Sequence, residues 1–225
     1  MIQLLALAML GGILGMDVVC FLQMMISRPL VAATLAGALA GDATMGVLTG
    51  ATLELIALAT LPFGASRYPE WGSASAVGGA NAEAMPGDPA GALTIGVLAT
   101  LATAWVGGIT LLPLRQWNAW LARRRRPALD AGSRGAVIGL QLAGLAADMV
   151  RAALLTAVSY AILFPVARAV VGAWSLGESV SRGFVVSIAC AVAFAAAWTI
   201  FHSARGARWY FAGGLVVGFL MLFIR

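Results

Sequence analysis

The chain has 225 residues, 61% of them hydrophobic and only 10% charged, with a mean hydropathy of +0.94. Soluble domains carry about 25% charged residues, so this balance excludes an ordinary water-soluble fold and predicts a polytopic membrane protein. The net charge of +5 and a pI near 10.2 do not indicate nucleic acid, because the arginines sit in short polar gaps between apolar runs, as topology determinants do.

The first apolar segment runs from Gln3 to Met24 and carries Asp17 near its end. It is long enough to cross a core of about 30 Å. Its start, MIQLL, has no basic residue, so a retained span is expected rather than a cleaved signal. Gly11, Gly12 and Gly15 allow close helix approach there. Cys20 and Cys190 lie in apolar sequence with no CxxC spacing, and are read as small buried hydrophobes.

After Ser27-Arg28-Pro29, two apolar pieces, Leu30 to Ala40 and Met45 to Leu61, flank Gly41-Asp42-Ala43-Thr44. Helices of these lengths rise only about 17 and 26 Å. Short, glycine-interrupted apolar pieces are the signature of a re-entrant hairpin, tolerated only where protein or a watery cavity surrounds it. The hairpin, about residues 29–63, is therefore expected to lie buried and near a binding site.

Residues 64–90 are rich in Gly, Ala, Ser and Pro and read as an external or interfacial loop, with Tyr68 and Trp71 as interface anchors. A clean span follows from Gly91 to Leu114. Six arginines then fall between residues 115 and 134, which the positive-inside rule places in a cytoplasmic loop. Residues 136–171 read as a partly buried lead-in, Ala136 to Ala147, continuing into a span that ends near Pro165. Asp148 and Arg151 are three apart, so on a helix they share a face and neutralise each other, for structure or for transport. A span from Gly183 to Phe201, a second basic loop at 203–208 and a last span from Tyr210 to Ile224 complete the chain; 64–90 and 172–182 then lie outside. His202 has no partner nearby in sequence to make a metal or phosphocarrier site. No GxSxG, Walker A, HExxH or GxGxxG context is present.

The run Ser27-Arg28-Pro29-Leu30-Val31, then Gly41-Asp42 with Gly46, then Thr52-Leu53-Glu54-Leu55 resembles the IIC component of the mannose/fructose/sorbose family of the sugar phosphotransferase system. The likeness continues through Pro62-Phe63-Gly64-Ala65 and the 69–80 segment; Asp17 and the stretch from Gly139 to Pro165, with Gln141 and Arg151, resemble it more loosely. The resemblance implies an all-α polytopic membrane protein with re-entrant helical hairpins, residues 1–225 forming one IIC-type domain in the bacterial cytoplasmic (inner) membrane. It implies a permease subunit rather than an enzyme, needing no cofactor. Its partners would be a IID membrane component, cytoplasmic IIA and IIB components, the sugar, membrane lipid and further copies in a trimer-like assembly.

A buried carboxylate accepting sugar hydroxyls supplies charge-assisted bonds. Glu54 is the expected ligand group, since an ionisable residue in apolar sequence costs about 2.5 to 3.5 kcal/mol and requires a return; bracing the hairpin is its other role. Asp42 is placed to cap the second hairpin helix. Arg28 is expected to pair with Asp17 or Asp42, and all three join Glu54 as candidate substrate-binding residues. Two other functions remain open: a transport-inactive IIC-like sensor or assembly subunit, and the substrate-binding component of another importer class.

Overall fold

A computed structural model of the chain describes residues 2–18, 20–21, 23–58, 60, 68–85, 88–173, 178–201 and 203–221. The described residues form helices α1 (Ile2–Asp17), α2 (Pro29–Ala40), α3 (Ala43–Ala57), α4 (Trp71–Asn81), α5 (Pro89–Asp130), α6 (Arg134–Gly172), α7 (Glu178–Phe201) and α8 (Ala207–Met221), with a 3-10 turn at Ala82–Ala84. No strand occurs among them. Helices α5 and α6 are long and apolar enough to cross a membrane, and both carry outward-facing apolar residues such as Leu98, Trp105, Leu142 and Ile162, each more than half exposed.

The hairpin is α2 and α3. Pro29 opens α2 at a position where its fixed φ fits and its missing N–H costs nothing. Gly41, at φ 112, ends it in the left-handed region, and the N–H groups of Gly41 and Asp42 both return to the Gly37 carbonyl. Asp42 accepts the Met45 N–H at 2.9 Å and caps α3 as expected. Helices of 12 and 15 residues rise about 18 and 22 Å, too little for a core of about 30 Å. The two lie in backbone contact: a Cβ on Gly46 would stand 2.6 Å from the Ala33 carbonyl oxygen, and one on Gly50 2.7 Å from that of Pro29.

A clamp closes the open end of this hairpin. Arg28 Nε donates to Glu54 Oε1 at 2.6 Å, a second guanidinium nitrogen pairs with the same oxygen, and Glu54 Oε2 accepts the Leu30 N–H at 3.2 Å. Arg28 thus pairs with neither Asp17 nor Asp42, contrary to expectation. The antiparallel return of α3 brings Glu54 to the start of α2, while Asp42 sits at the opposite tip and Asp17 is already engaged. Asp17 also shortens the first span: it accepts the N–H groups of Met24 and Ser27 and the Ser27 hydroxyl at 2.8 to 3.0 Å, so α1 ends at Asp17 instead of Met24.

The expected loop at 64–90 is corrected most. Within it, α4 and its 3-10 turn form a helix with all eleven α4 residues buried. Glycine, alanine and serine read as loop residues in water, but here they admit neighbouring backbones: a Cβ on Gly72 would meet the Leu14 carbonyl oxygen at 2.5 Å, and one on Gly79 that of Ala33 at 2.3 Å. Trp71, expected at the interface, is 9% exposed. The expected loop at 115–134 is helical to Asp130, the turn being confined to Ala131–Ser133 with Gly132 at φ 72. With 42 residues α5 extends about 63 Å, so its arginine-rich end projects beyond the apolar layer. Pro165 does not end α6, which continues to Gly172. The cysteines are corrected too, both being exposed. His202 and the 61–67 stretch lie outside the described residues.

Two stability measurements follow from this packing. Gly46→Val, which forces a side chain onto the Ala33 carbonyl, lowers stability by about 1 to 3 kcal/mol, read as loss of the monodisperse peak after heating in detergent, whereas Gly139→Val, with open space around it, does not. A double-mutant cycle of Arg28→Ala and Glu54→Gln gives a coupling energy of about 0.5 to 3 kcal/mol; additive effects would remove the clamp.

Candidate functional site

Helix α4 begins beside a cavity. Glu70 is its N-cap residue; Oε1 accepts the Ser73 N–H at 3.2 Å, and its own N–H donates to the Ala104 carbonyl at 3.2 Å. The residue is 3% exposed. Helix α5 passes close because Gly107 has no side chain: a Cβ there would lie 2.7 Å from Glu70 Cβ.

Across the cavity, α6 contributes the expected pair. Arg151 Nε donates to Asp148 Oδ1 at 2.9 Å, and Nη1 donates to Thr110 Oγ1 at 3.1 Å. Thr110 in turn donates to the Gly107 carbonyl at 2.7 Å. Asp148 Oδ2 accepts the Cys20 thiol at 2.9 Å. The guanidinium is therefore held from two helices, with its orientation fixed.

Glu70, Cys20, Asp148 and Arg151 line a cavity of about 220 Å³ together with Tyr68, Trp71, Leu111, Arg115 and Asn118. Two carboxyls, Glu70 and Asp148, face two guanidiniums, Arg115 and Arg151, so the wall is formally neutral. Arg115 also lies over the Tyr68 ring, 5.6 Å from its centroid. Six buried side-chain polar atoms among the described residues lack a hydrogen-bond partner, and three of them, Glu70 Oε2, Asn118 Oδ1 and Arg151 Nη2, belong to this wall. Arg151 Nη2 lies 2.8 Å from Asp148 Oδ1 as an ion contact, without hydrogen-bond alignment. Two acceptors and one donor around an enclosed space suit a ligand that both donates and accepts, as a polyol does.

A second cavity, of about 210 Å³, adjoins the first and is lined by Asp17, Ser27, Arg28, Thr60 and Trp71 among others. Of the four sequence-derived candidates, Asp17 and Arg28 line it, whereas Glu54 and Asp42 line neither cavity. Both oxygens of Glu54 are taken up by the clamp. Glu70, Trp71 and Asn118 escaped the sequence, the first two in an assumed loop and the third inside the arginine-rich stretch. The usable signal was Pro69-Glu70-Trp71 immediately before a small-residue run, an acidic N-cap on a helix able to pack tightly. No group of three or more His, Cys, Asp and Glu side chains that could hold a metal ion is found among the described residues.

Known proteins resemble the chain at several levels. The family model for the PTS system sorbose-specific IIC component matches residues 1–223. The PTS system sorbose-specific EIIC component of Klebsiella pneumoniae is 38% identical over 76 residues, a stretch that spans 34% of this chain and only 28% of that relative's length. A solved membrane protein superposes with a TM-score of 0.69 at 21% identity, covering 99% of this chain and 86% of the other. The mannose transporter ManYZ, solved by cryo-EM with microcin E492, gives a TM-score of 0.62 at 22% identity, covering 100% and 87%. At those identities the two structures establish a shared membrane-protein fold, and the family match extends over nearly every residue. The chain belongs to the family of PTS system sorbose-specific IIC components.

Proposed function

We propose that this protein is the sugar-translocating subunit of a phosphoenolpyruvate-dependent phosphotransferase system, a multi-pass protein of the bacterial cytoplasmic membrane that binds a hexose-like sugar in the cavity between the start of α4 and the Asp148–Arg151 pair. The observation that carries this is the set of three buried atoms without a hydrogen-bond partner, Glu70 Oε2, Asn118 Oδ1 and Arg151 Nη2, around one cavity. Sugar hydroxyls donate to the first two and accept from the third. A site built to bond hydroxyls rejects ligands lacking them, since its polar groups would stay buried and unpaired. Trp71 offers an apolar ring for a sugar face.

The position of the cavity supports transfer to a cytoplasmic IIB component. It lies beside residues 111–118 of α5, and the arginines at 123–126 follow about 7 Å farther along the same helix. The positive-inside rule assigns that end to the cytoplasm, so the cavity faces the side where phosphorylation takes place. Residues 1–225 act as one IIC-type unit, with a IID membrane component completing the sugar path, IIA feeding IIB, and copies of the complex assembling as a small homo-oligomer. Around the site, Asp17 and Arg28 shape the adjoining chamber, while Asp42 and Glu54 hold the hairpin against it. Relatives named for sorbose and for mannose favour a hexose or ketohexose.

Glu70→Gln, in the complex reconstituted with its partner subunits, keeps an acceptor for Ser73 but puts an amide in place of the carboxyl. It weakens sugar binding by about 10- to 100-fold, the loss of one charge-assisted hydrogen bond, measured by equilibrium binding of D-mannose and L-sorbose with insertion and complex formation intact. Parental affinity in this variant would overturn the assignment.

A further inference from the structure

The end of α5 and the start of α6 hold the densest charge in the chain. Six arginines stand between residues 115 and 134 against one acid, Asp130. Arg123, Arg124, Arg125 and Arg126 are consecutive and all exposed, and on a helix they point about 100° apart, nearly all the way round α5. Arg126 pairs with Asp130 at 3.7 Å, and Arg124 lies over the Trp120 ring, 5.3 Å from its centroid. Arg123, Arg125 and Arg134 have no acidic partner among the described residues. Apolar side chains share this height. The antiparallel return of α6 sets Arg125 and Leu121 around a cavity of about 160 Å³ with Gly135, Ala136 and Gly139, and Val137 and Ile138 beside them are half-exposed. Trp120 and Trp117, one and two turns inward of the arginines on α5, are exposed as well. Water would leave these apolar groups bare, and hydrocarbon would strand the guanidiniums. The headgroup layer of a bilayer suits both, offering phosphates to the arginines and the upper acyl chains to the rest.

We propose that the tip of the α5–α6 hairpin is a binding site for anionic phospholipid, in which the guanidiniums of Arg123, Arg125 and Arg134 hold headgroup phosphates. A guanidinium presents a planar fork of donors that meets two phosphate oxygens at once. The spread of the arginines round α5 favours lipid over a protein partner. A docked protein covers one side of a helix, whereas fluid headgroups reach every open side. The cavity beside Arg125 adds room for a headgroup, since a Cβ on Gly139 would meet nothing within 4 Å. This site depends on the membrane-protein fold alone and stands whether or not a sugar binds beside Glu70.

The test is native mass spectrometry of the purified full-length chain in neutral detergent, titrated with phosphatidylglycerol and separately with phosphatidylcholine. The parent retains phosphatidylglycerol in preference. Arg123→Gln/Arg125→Gln lowers phosphatidylglycerol affinity roughly tenfold, in line with about fivefold for each basic residue near an anionic surface, and leaves phosphatidylcholine unchanged. Arg205→Gln/Arg208→Gln removes the same charge from the 203–208 loop and keeps the preference. Equal retention of the two lipids by the parent overturns the site, as does a preference that survives Arg123→Gln/Arg125→Gln. An equal loss in Arg205→Gln/Arg208→Gln would assign the effect to net charge and overturn it too. The titration is repeated with the partner membrane subunit bound. A preference that persists there supports the site, and one that disappears shows that a protein covers this surface instead.

Discussion

Everything in this fold depends on burying α4. In an apolar medium every backbone N–H and C=O has to be satisfied within the protein, and a helix of 11 residues that neither spans nor touches water is tolerated only inside a closed collar. Glycines of α4 itself let that collar close in, Gly72 against the Leu14 carbonyl and Gly79 against that of Ala33. The helix start is completed by Glu70, whose Oε1 accepts the Ser73 N–H. Placing a carboxyl at that depth leaves its second oxygen facing a cavity, and the site follows from the packing.

Charge is handled by the same logic. An ionised residue at the centre of a membrane helix costs about 2.5 to 3.5 kcal/mol, and the acids around α4 are engaged accordingly. Glu54 is committed to Arg28 and Leu30, Asp17 to Met24 and Ser27, and Asp148 to Arg151 and Cys20. Of the six buried side-chain polar atoms among the described residues that lack a hydrogen-bond partner, three share one cavity wall, on Glu70, Asn118 and Arg151. That distribution separates the acids that build the hairpin from the polar groups that line the cavity.

Much of the architecture was legible in the sequence where the signal was local. Gly41-Asp42 marked the hairpin tip and its cap, and the three-residue spacing of Asp148 and Arg151 gave their pair. The signals that failed were those that depend on the medium or on distant partners. Residues 71–81 have the composition of a loop in water and the composition of a close-packed helix among helices. Arg28 meets an acid 26 residues away, a pairing set by how α2 and α3 run together. Glu70, Asn118 and Arg151 come from three separate stretches, so only their convergence identifies the candidate site, and Glu54 carried two expected roles, ligand contact and bracing of the hairpin, because its Arg28 partner was not readable from local sequence.

The central claim is that the sugar occupies the chamber at the start of α4, and a cryo-EM structure of the complete membrane complex with sugar bound tests it most directly. The account predicts sugar density in hydrogen-bond contact with Glu70 Oε2, Asn118 Oδ1 and Arg151 Nη2, with the Arg28–Glu54 clamp intact. Sugar ordered at Glu54, with the clamp opened and the three atoms beside α4 still unpartnered, would contradict it.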